Sequence, residues 1–277
     1  MKPYWGEREA GAIRKTDVQA WIAHMSNEGA KPTTIDQALT ILRLILEYAV
    51  DSGVLAANPA HGVKKPRIVN RRHAYLTVKQ VELLAGECDD GGTLVRLLAY
   101  TGLRLGEAVA LRVEDVDLDR RRLHVHRSDT TPGGKLVEGT PKTHQARDVP
   151  LVRALVAPLA ELMEGKAGAD RVFVTLSGTP VRGDNFRHRV YNDAVKQAMV
   201  TDTTMPKVTI HDLRHTAASL AVKAGGNVKA VQRMLGHASA AMTLDRYSDL
   251  FDDDLDNLVG RLDDLVGRAT KVLPNDE

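Results

Sequence analysis

Four separated stretches of this 277-residue chain carry side chains that could do chemistry. In chain order, they contribute Arg104 with Glu107, Lys142, His211 with Arg214, and His237 with Tyr247. Arg104 follows a glycine and is predicted to begin a helix, where free N–H groups favour anions and an arginine can add a two-pronged phosphate clamp. Lys142 is predicted on a hairpin, from which a lysine can reach a substrate as a proton donor.

Each stretch taken alone also has an ordinary structural explanation. Arg104 could simply form an ion pair with Glu107 or Glu114. Lys142 could be a solvated lysine of a hairpin, and Tyr247 could be a helical tyrosine that packs its ring in the interior. No single stretch therefore defines a function.

A metal site is the alternative suggested by the histidines. His211 and His215 are four residues apart and share a helix face, as zinc-binding histidines do. Asp212 stands where a zinc protease has glutamate, however, and no third ligand is evident downstream. His124 and His126 are interpreted as surface or phosphate-facing histidines of one strand, so no metal site is predicted.

Considered together and in order, the stretches resemble the tyrosine recombinase (phage integrase) family. The matching motifs are Thr-Gly-Leu-Arg-Leu-Gly-Glu, Pro-Lys-Thr with Arg-x-Val-Pro-Leu, His-Asp-Leu-Arg-His-Thr-Ala-Ala-Ser, and Leu-Gly-His-Ala-Ser followed by Tyr. The resemblance extends over about residues 15–250 and is greatest to integrases of actinobacterial phages and mobile elements. Ordered motifs of this kind are far more specific than any one of them alone.

The resemblance implies DNA cleavage through a covalent 3′-phosphotyrosyl intermediate, with Tyr247 as the nucleophile and no metal or other cofactor. The ten-residue step from His237 to Tyr247 is one longer than the family's common nine. Because the extra residue falls between a loop and a helix, Tyr247 remains preferred to Tyr191. Lys142 matches the general acid that protonates the 5′-oxygen, whereas its rival Lys135 lacks the matching motif.

The other roles that the resemblance implies belong to cations, histidines and one carboxylate. Arg104 and Arg214 match the two arginines that stabilise charge on the phosphate oxygens. His211 matches the residue that helps to manage the tyrosine proton, and His237 matches a hydrogen-bond donor to the phosphate. Glu107 matches a supporting carboxylate.

The spacing of apolar residues predicts the elements that must position these side chains. Two helices are expected in the first 53 residues, one starting at Thr16 or Asp17 and one at Thr33 or Thr34. Later helices are predicted over residues 76–86, 93–101, 105–111, 151–164, 184–199, 212–225, 227–235 and 239–248. Short strands are predicted over residues 116–118, 122–125, 135–137 and 147–149, and near 172–174. The fold class is therefore mainly α with a small antiparallel β-sheet (α+β), and the resemblance implies a helical core-binding domain plus a tyrosine-recombinase catalytic domain.

Four segments are predicted along the chain. They are a partial core-binding, DNA-clamping domain (1–66), a basic linker (67–75), the catalytic domain (76–250) and a C-terminal docking helix and tail (251–277). The two helices of the first segment bury little between them, and the family usually has a further helix before them, so we expect this domain to lack its usual first helix, either through truncation or because its natural start is short. Basic residues around the linker are expected to contact DNA phosphates, namely Lys64, Lys65, Arg67, Arg71 and Arg72.

The net charge of +2 is a sum of opposed parts. Residues 1–75 carry 11 basic and 7 acidic side chains, and residues 76–248 carry 24 and 20. Residues 249–277 carry 3 basic and 9 acidic side chains, together with an apolar stripe at helical spacing from Leu255 to Ala269. The stripe must be buried somewhere, either on its own domain or, as in the family, on a neighbouring protomer of a tetramer.

Composition limits the remaining possibilities. The lone Cys88 rules out an internal disulfide and favours a reducing compartment. The resemblance implies that this compartment is the cytoplasm of a bacterial host. No apolar run approaches about 18 residues, so no membrane partner is predicted. The expected partners are double-stranded DNA attachment sites, further copies of the chain, and a DNA-bending accessory or directionality factor. A chromosome-dimer resolvase, a type IB topoisomerase and an inactive DNA-binding regulator remain alternatives, and a metalloprotease is a more distant one.

Overall fold

A computed structural model describes residues 2–68, 74–141 and 146–247, and beyond them positions 259, 260, 262, 263 and 266. The chain divides into two compact units, Met1–Arg72 and His73–Glu277. Within the described residues, no helix combines the length and the apolar character that a membrane span requires.

The described part of the first unit contains three α-helices, α1 (Lys2–Trp5), α2 (Lys15–Asn27) and α3 (Pro32–Asp51). Both long helices were predicted, but they begin one or two residues earlier than expected. Helix α2 is capped by Arg14, whose backbone N–H donates to the Asp17 carboxylate at 2.9 Å. Asp17 therefore binds the start of the helix from within its first turn, and it is not itself the residue that precedes the helix.

The described first unit builds a core of its own. Helix α2 buries Val18, Trp21 and Ile22, and helix α3 buries Ile35, Leu39, Leu42 and Leu46. The rest of that cluster comes from outside the two long helices, from Trp5, Ile13, Ala60 and Val63. The expectation that this segment could bury little was wrong, because it counted only two helices. Ile45 follows the same helical spacing as these apolar residues of α3, but it is 53% exposed.

The second unit is largely helical, as predicted. Its α-helices are α4 (Val78–Gly86), α5 (Gly92–Thr101), α6 (Leu105–Ala110), α7 (Val156–Met163), α8 (Gly183–Phe186), α9 (Asn192–Thr201), α10 (Ile210–Lys223), α11 (Val228–Leu235) and α12 (Ala240–Tyr247). A π-helical turn, Arg187–Tyr191, joins α8 to α9. Helix α10 packs mainly against α5 and is buried along most of its length.

The described residues between α6 and α7 form five short strands. They are β1 (Val116–Asp117), β2 (Arg122–Val125), β3 (Ser128–Thr130), β4 (Val137–Gly139) and β5 (Arg147–Pro150). The antiparallel order is β1-β2-β5, with Leu123 opposite both Val116 and Val149, and β3 and β4 form a separate hairpin. The sequence did not indicate β3 and placed β4 two residues early. The predicted strand near Val172 is a buried connection with isolated bridges on either side.

Candidate active site

The turn between α5 and α6 places Arg104 at a helix start. Gly102 ends α5 in the left-handed region, with a φ of 69°. A side chain at this position would also meet the Leu235 Cδ2 atom at 2.5 Å, so only glycine fits. The chain then turns, and Arg104 becomes the N-terminal cap of α6. The predicted position of this arginine is therefore correct.

Glu107, in the first turn of α6, is the buried anion of the site. Its side chain is fully buried and accepts hydrogen bonds from the Arg104 backbone N–H and Nη1, both at 2.9 Å. Arg147, on β5, donates to the same carboxylate from Nη1 at 3.2 Å and from Nη2 at 2.7 Å. Burial alone would raise the pKa of Glu107, but the hydrogen bonds and charges of the two arginines outweigh it and lower the pKa.

Arg147 lies in the Arg-x-Val-Pro-Leu motif, and the sequence alone indicates no role for it. Besides binding Glu107, it reaches the Met234 carbonyl at 3.4 Å and lies against Gly236, whose added Cβ would come within 2.8 Å of the arginine Cδ. Its position could have been inferred from strand alternation, because Arg147 shares a face of β5 with the buried Val149. An arginine pointing inward needs a buried carboxylate, and Glu107 was available.

Arg214, on α10, is held by backbone carbonyls. Its Nη1 donates to the Gly102 carbonyl at 2.6 Å and its Nη2 to the Leu235 carbonyl at 2.7 Å. Both acceptors lie at helix C-termini, which favour cations. Burial and the charge of Arg104 lower the pKa of Arg214 to about 10, so the side chain remains charged at neutral pH. Among the described residues, two of its five N–H groups are bound in this way, so the guanidinium keeps further donors with which to meet a ligand.

His211 and His215 share a face of α10, as their spacing predicted. Their rings lie edge to face with centroids 5.0 Å apart. His211 is exposed as a whole residue. Its pKa is lowered, first by desolvation of its ring and then by nearby charges, among which Arg214 has the largest effect. His215 is only 2% exposed, and its Nδ1 lies 2.7 Å from the Tyr247 hydroxyl.

His237 follows Gly236 at the end of α11 and is nearly buried. Its Nδ1 lies 2.9 Å from the Thr243 hydroxyl, and its backbone N–H and carbonyl are bound by Gln232. Burial, followed by the charge of Arg214 and other arginines, lowers the pKa of His237 to about 4. The ring is therefore neutral at pH 7.

Tyr247, at the end of α12, contacts both His215 and His237. Its ring stacks on that of His237, with centroids 6.2 Å apart and planes 9° apart, and lies edge to face with that of His215. The residue is 1% exposed. Burial raises the pKa of Tyr247 to about 12, against the opposing charges of Arg214 and Arg246. The hydroxyl is therefore protonated at neutral pH and lies within the field of the arginines.

Tyr191, the weaker nucleophile candidate, lies elsewhere. It is fully buried in the main core of the second unit, and its hydroxyl makes no hydrogen bond to any described residue. Burial raises its pKa well above the ordinary tyrosine value.

Several predicted residues fall outside this cluster or outside the described residues. Lys142, Arg71, Arg72 and most of the predicted tail helix lie outside the described parts of the chain, so their roles stay predictions. Lys135 is exposed between the β3–β4 hairpin strands. In the first unit, Lys65 pairs with Asp36, the Lys64 backbone is bound by the Gln19 side chain, and Arg67 is exposed.

Among the described residues, no group of three or more histidine, cysteine or acidic side chains is arranged to hold a metal ion. The site instead gathers a tyrosine, three histidines, three arginines and a buried glutamate. Positioned cations and neutral proton-transfer groups of this kind are suited to phosphoryl transfer. The arrangement is therefore suited to holding a phosphate ester and transferring it by protein side chains.

Comparison with known proteins identifies the family. The sequence model of the phage integrase family matches residues 74–253, and the chain belongs to this family. The predicted family, the tyrosine recombinases, and the predicted fold class are thereby confirmed.

Two curated relatives illustrate the range of the family. The integrase of Mycobacterium phage D29 is 28% identical over 246 residues, which cover 87% of this chain and 65% of that protein. The chain thus spans slightly less than two thirds of that relative. The tyrosine recombinase XerC of Vibrio vulnificus (strain YJ016) is also 28% identical, over 244 residues, 86% of this chain and 72% of that protein.

A solved structure shows the same fold. The integrase of the transposon Tn1549, in complex with a circular intermediate DNA, superposes with a TM-score of 0.75 at 21% identity. The match covers 85% of this chain and 81% of that one. The described helices and strands therefore form a tyrosine recombinase fold.

Proposed function

We propose that this chain is a site-specific DNA recombinase that cleaves and rejoins strands through a 3′-phosphotyrosyl intermediate on Tyr247. Its biological reaction is the integration or excision of a phage or mobile element. The observation that carries the proposal is the position of Tyr247. Its ring stacks on that of His237, its hydroxyl is hydrogen-bonded to His215, and the charge of Arg214 acts on it. These groups come from helices α10 and α12 and from the turn between α11 and α12.

The scissile phosphate would lie between Arg104 and Arg214. Glu107 aligns Arg104, and two backbone carbonyls align Arg214, so both guanidinium groups are oriented before the substrate binds. The Thr243 hydroxyl can donate to Nδ1 of His237, which leaves the ring proton on Nε2 for donation to a phosphate oxygen. His211 lies exposed beside this site, where it can meet the substrate.

Tyr247 would attack phosphorus and release the 5′-oxygen, to which Lys142 supplies a proton. The phosphotyrosyl bond retains the energy of the broken ester, so a free 5′-hydroxyl can reverse the reaction without a nucleotide cofactor. The proposed partners are two double-stranded attachment sites and other copies of this chain, in the cytoplasm of the bacterial host. An accessory factor that bends DNA or sets direction would complete the complex.

A suicide DNA substrate tests the proposal, because a nick just beyond the cleavage site lets the short fragment that carries the free 5′-hydroxyl diffuse away, which traps the adduct. We expect a denaturation-resistant protein–DNA adduct from the wild-type chain and none from Tyr247→Phe. Tyr191→Phe is the matched control, since it removes a buried hydroxyl outside the cluster, and it should form the adduct normally. An adduct that persists in Tyr247→Phe would contradict the proposal, and DNA binding without any wild-type adduct would indicate an inactive regulator.

A chromosome-dimer resolvase is the second candidate, because the XerC relative is as similar to this chain as the phage relative is. The two functions differ in their DNA sites. An integrase joins two different attachment sites, whereas a resolvase acts on two copies of one site. Recombination of plasmids carrying sequences from either side of the gene, compared with plasmids carrying paired chromosomal sites, distinguishes them. Relaxation of supercoils without strand exchange would instead indicate a topoisomerase.

A further inference from the structure

We propose that His215 is the general base that accepts the Tyr247 proton during strand cleavage, an inference that rests on the recombinase function proposed above. The family resemblance gives His215 no role and assigns management of the tyrosine proton to His211. The structure, however, places Nδ1 of His215 at 2.7 Å from the Tyr247 hydroxyl. Both residues are buried, with exposures of 2% and 1%.

The hydroxyl needs such an acceptor. Because the pKa of Tyr247 is raised to about 12, the phenol holds its proton at neutral pH and is a weak nucleophile until the proton is removed. A general base must lie within about 2.6–3.2 Å of the proton donor, directly or through one water molecule. His215 meets this requirement directly, with its Nδ1 at 2.7 Å from the hydroxyl.

The position of His211 supports a different role for that residue. It lies one turn earlier on α10 and on its exposed side, with its ring 5.0 Å from that of His215, centroid to centroid. It is therefore placed to meet the DNA, whereas His215 is placed to meet the nucleophile. Tyr247 packs in one buried cluster with Ala218, Val222, Val231 and Leu235, which holds its ring beside α10.

The proposed step balances as follows. The O–H bond of Tyr247 breaks, its proton moves to Nδ1 of His215, and the phenolate oxygen forms a bond to phosphorus. The bond from phosphorus to the 5′-oxygen breaks, and that oxygen takes a proton from the general acid, proposed to be Lys142. Rejoining reverses each transfer. The imidazolium that forms lies near Arg214, so the negative charge of bound DNA must offset the arginines before the proton can move.

The decisive variant is His215→Asn, because an asparagine amide oxygen can occupy nearly the place of Nδ1 and accept the hydrogen bond without being basic. Single-turnover adduct formation on the suicide substrate should fall by about 10²–10⁴-fold, the usual contribution of a general base. DNA affinity and the unfolding midpoint, measured on the same preparation, should stay at the wild-type values. His215→Ala, which also loses the hydrogen bond, should be at least as slow.

Two chemical changes separate proton transfer from positioning. Incorporation of 2,3,5-trifluorotyrosine at position 247 gives a phenol that ionises more readily, and it should restore at least about tenfold of the lost rate in His215→Asn. His211→Asn is the comparison variant and should gain no such relief. A substrate with sulfur in place of the 5′-bridging oxygen needs no leaving-group proton, so it should rescue Lys142→Ala but not His215→Asn.

Three results would overturn the inference. The first is a rate of adduct formation in His215→Asn within about threefold of the wild-type rate. The second is a rate faster than wild type, which would mean that His215 restrains Tyr247 at rest. The third is a slow rate that trifluorotyrosine at position 247 does not relieve. Failure of the underlying function looks different, because then the wild-type chain forms no adduct or Tyr247→Phe still forms one.

Discussion

Replacement of Glu107 by glutamine should destabilise the second unit and slow DNA cleavage together. Glu107 is fully buried and binds Arg147, which is only 10% exposed, through bonds of 2.7 and 3.2 Å. Glutamine has nearly the same shape but no charge, and its NH₂ group cannot accept from an arginine. The substitution therefore leaves Arg147 partly unpaired in the interior.

The size of the loss follows from the burial of each partner. Removing one partner of a buried ion pair typically costs about 3–5 kcal/mol. The bond to Arg104 adds less, because that side chain is 26% exposed and water screens it. We expect the free energy of unfolding to fall by about 3 kcal/mol, most of it from the Arg147 pair. Cleavage should slow as well, because Arg104 loses the carboxylate that orients it.

Urea unfolding of the full chain, followed by circular dichroism, measures the loss in stability. Glu161→Gln is the matched control, since Glu161 is exposed on α7, and it should change stability by less than about 0.5 kcal/mol. The suicide-substrate assay under native conditions measures the effect on cleavage. If Glu107→Gln unfolds at the wild-type urea concentration, the proposed importance of the Arg104–Glu107–Arg147 contacts is refuted.

The same carboxylate should make stability depend on pH in an acidic window. The pKa of Glu107 is lowered in the folded chain, so its stabilisation is complete above the ordinary glutamate pKa of about 4.3 and is lost as the pH falls through the lower, folded-state value. Glu107→Gln should remove this part of the acid dependence. An unchanged acid-unfolding profile would show that other carboxylates dominate it.

Three further outcomes are expected. Gly236→Ala should lower the free energy of unfolding by about 2 kcal/mol or more, because φ is 66° and the new Cβ would overlap Arg147. Gly133→Ala is the control, since φ is 58° there and the space around it is open, so it should cost only the backbone strain. Thermal unfolding measures both variants. Deletion of residues 254–277 should reduce the pairing of two DNA sites more than the cleavage of one site. The reason is that Val259, Leu262 and Val266 are exposed at 57%, 49% and 58% and offer an apolar surface to another protomer. A native gel measures the pairing. Adduct formation should continue in excess chelator, since no step above uses a metal ion.

Most of the helices could be predicted because each leaves a local pattern. Helix α10 follows a capping threonine with Asp212 at the third position, and Gly102 and Gly236 mark the ends of α5 and α11. The strands were harder to predict. Strand β3 has only three residues, and its middle residue is the buried Asp129, so the usual alternation of apolar and polar residues is absent.

The contacts within the site were less predictable than the elements. Arg147 and Glu107 are 40 residues apart, and His215 and Tyr247 are 32 apart, so no helical or strand period relates them. The resemblance supplied a role for Tyr247. His215 lies inside a matching motif, but the resemblance gives it no role, and its contact with Tyr247 is visible only in the folded structure.

Backbone geometry explains why two of the motifs contain glycine beside their catalytic candidates. Gly102 and Gly236 both adopt positive φ and end a helix, and the carbonyls that bind Arg214 belong to Gly102 and to Leu235, the residue before Gly236. A larger residue at either position would shift the turn and move a carbonyl away from the arginine. The same two turns lead directly to Arg104 and His237. The glycines therefore fix three phosphate-facing candidates at once, which is why the Gly-Leu-Arg and Leu-Gly-His motifs accompany each other in one site.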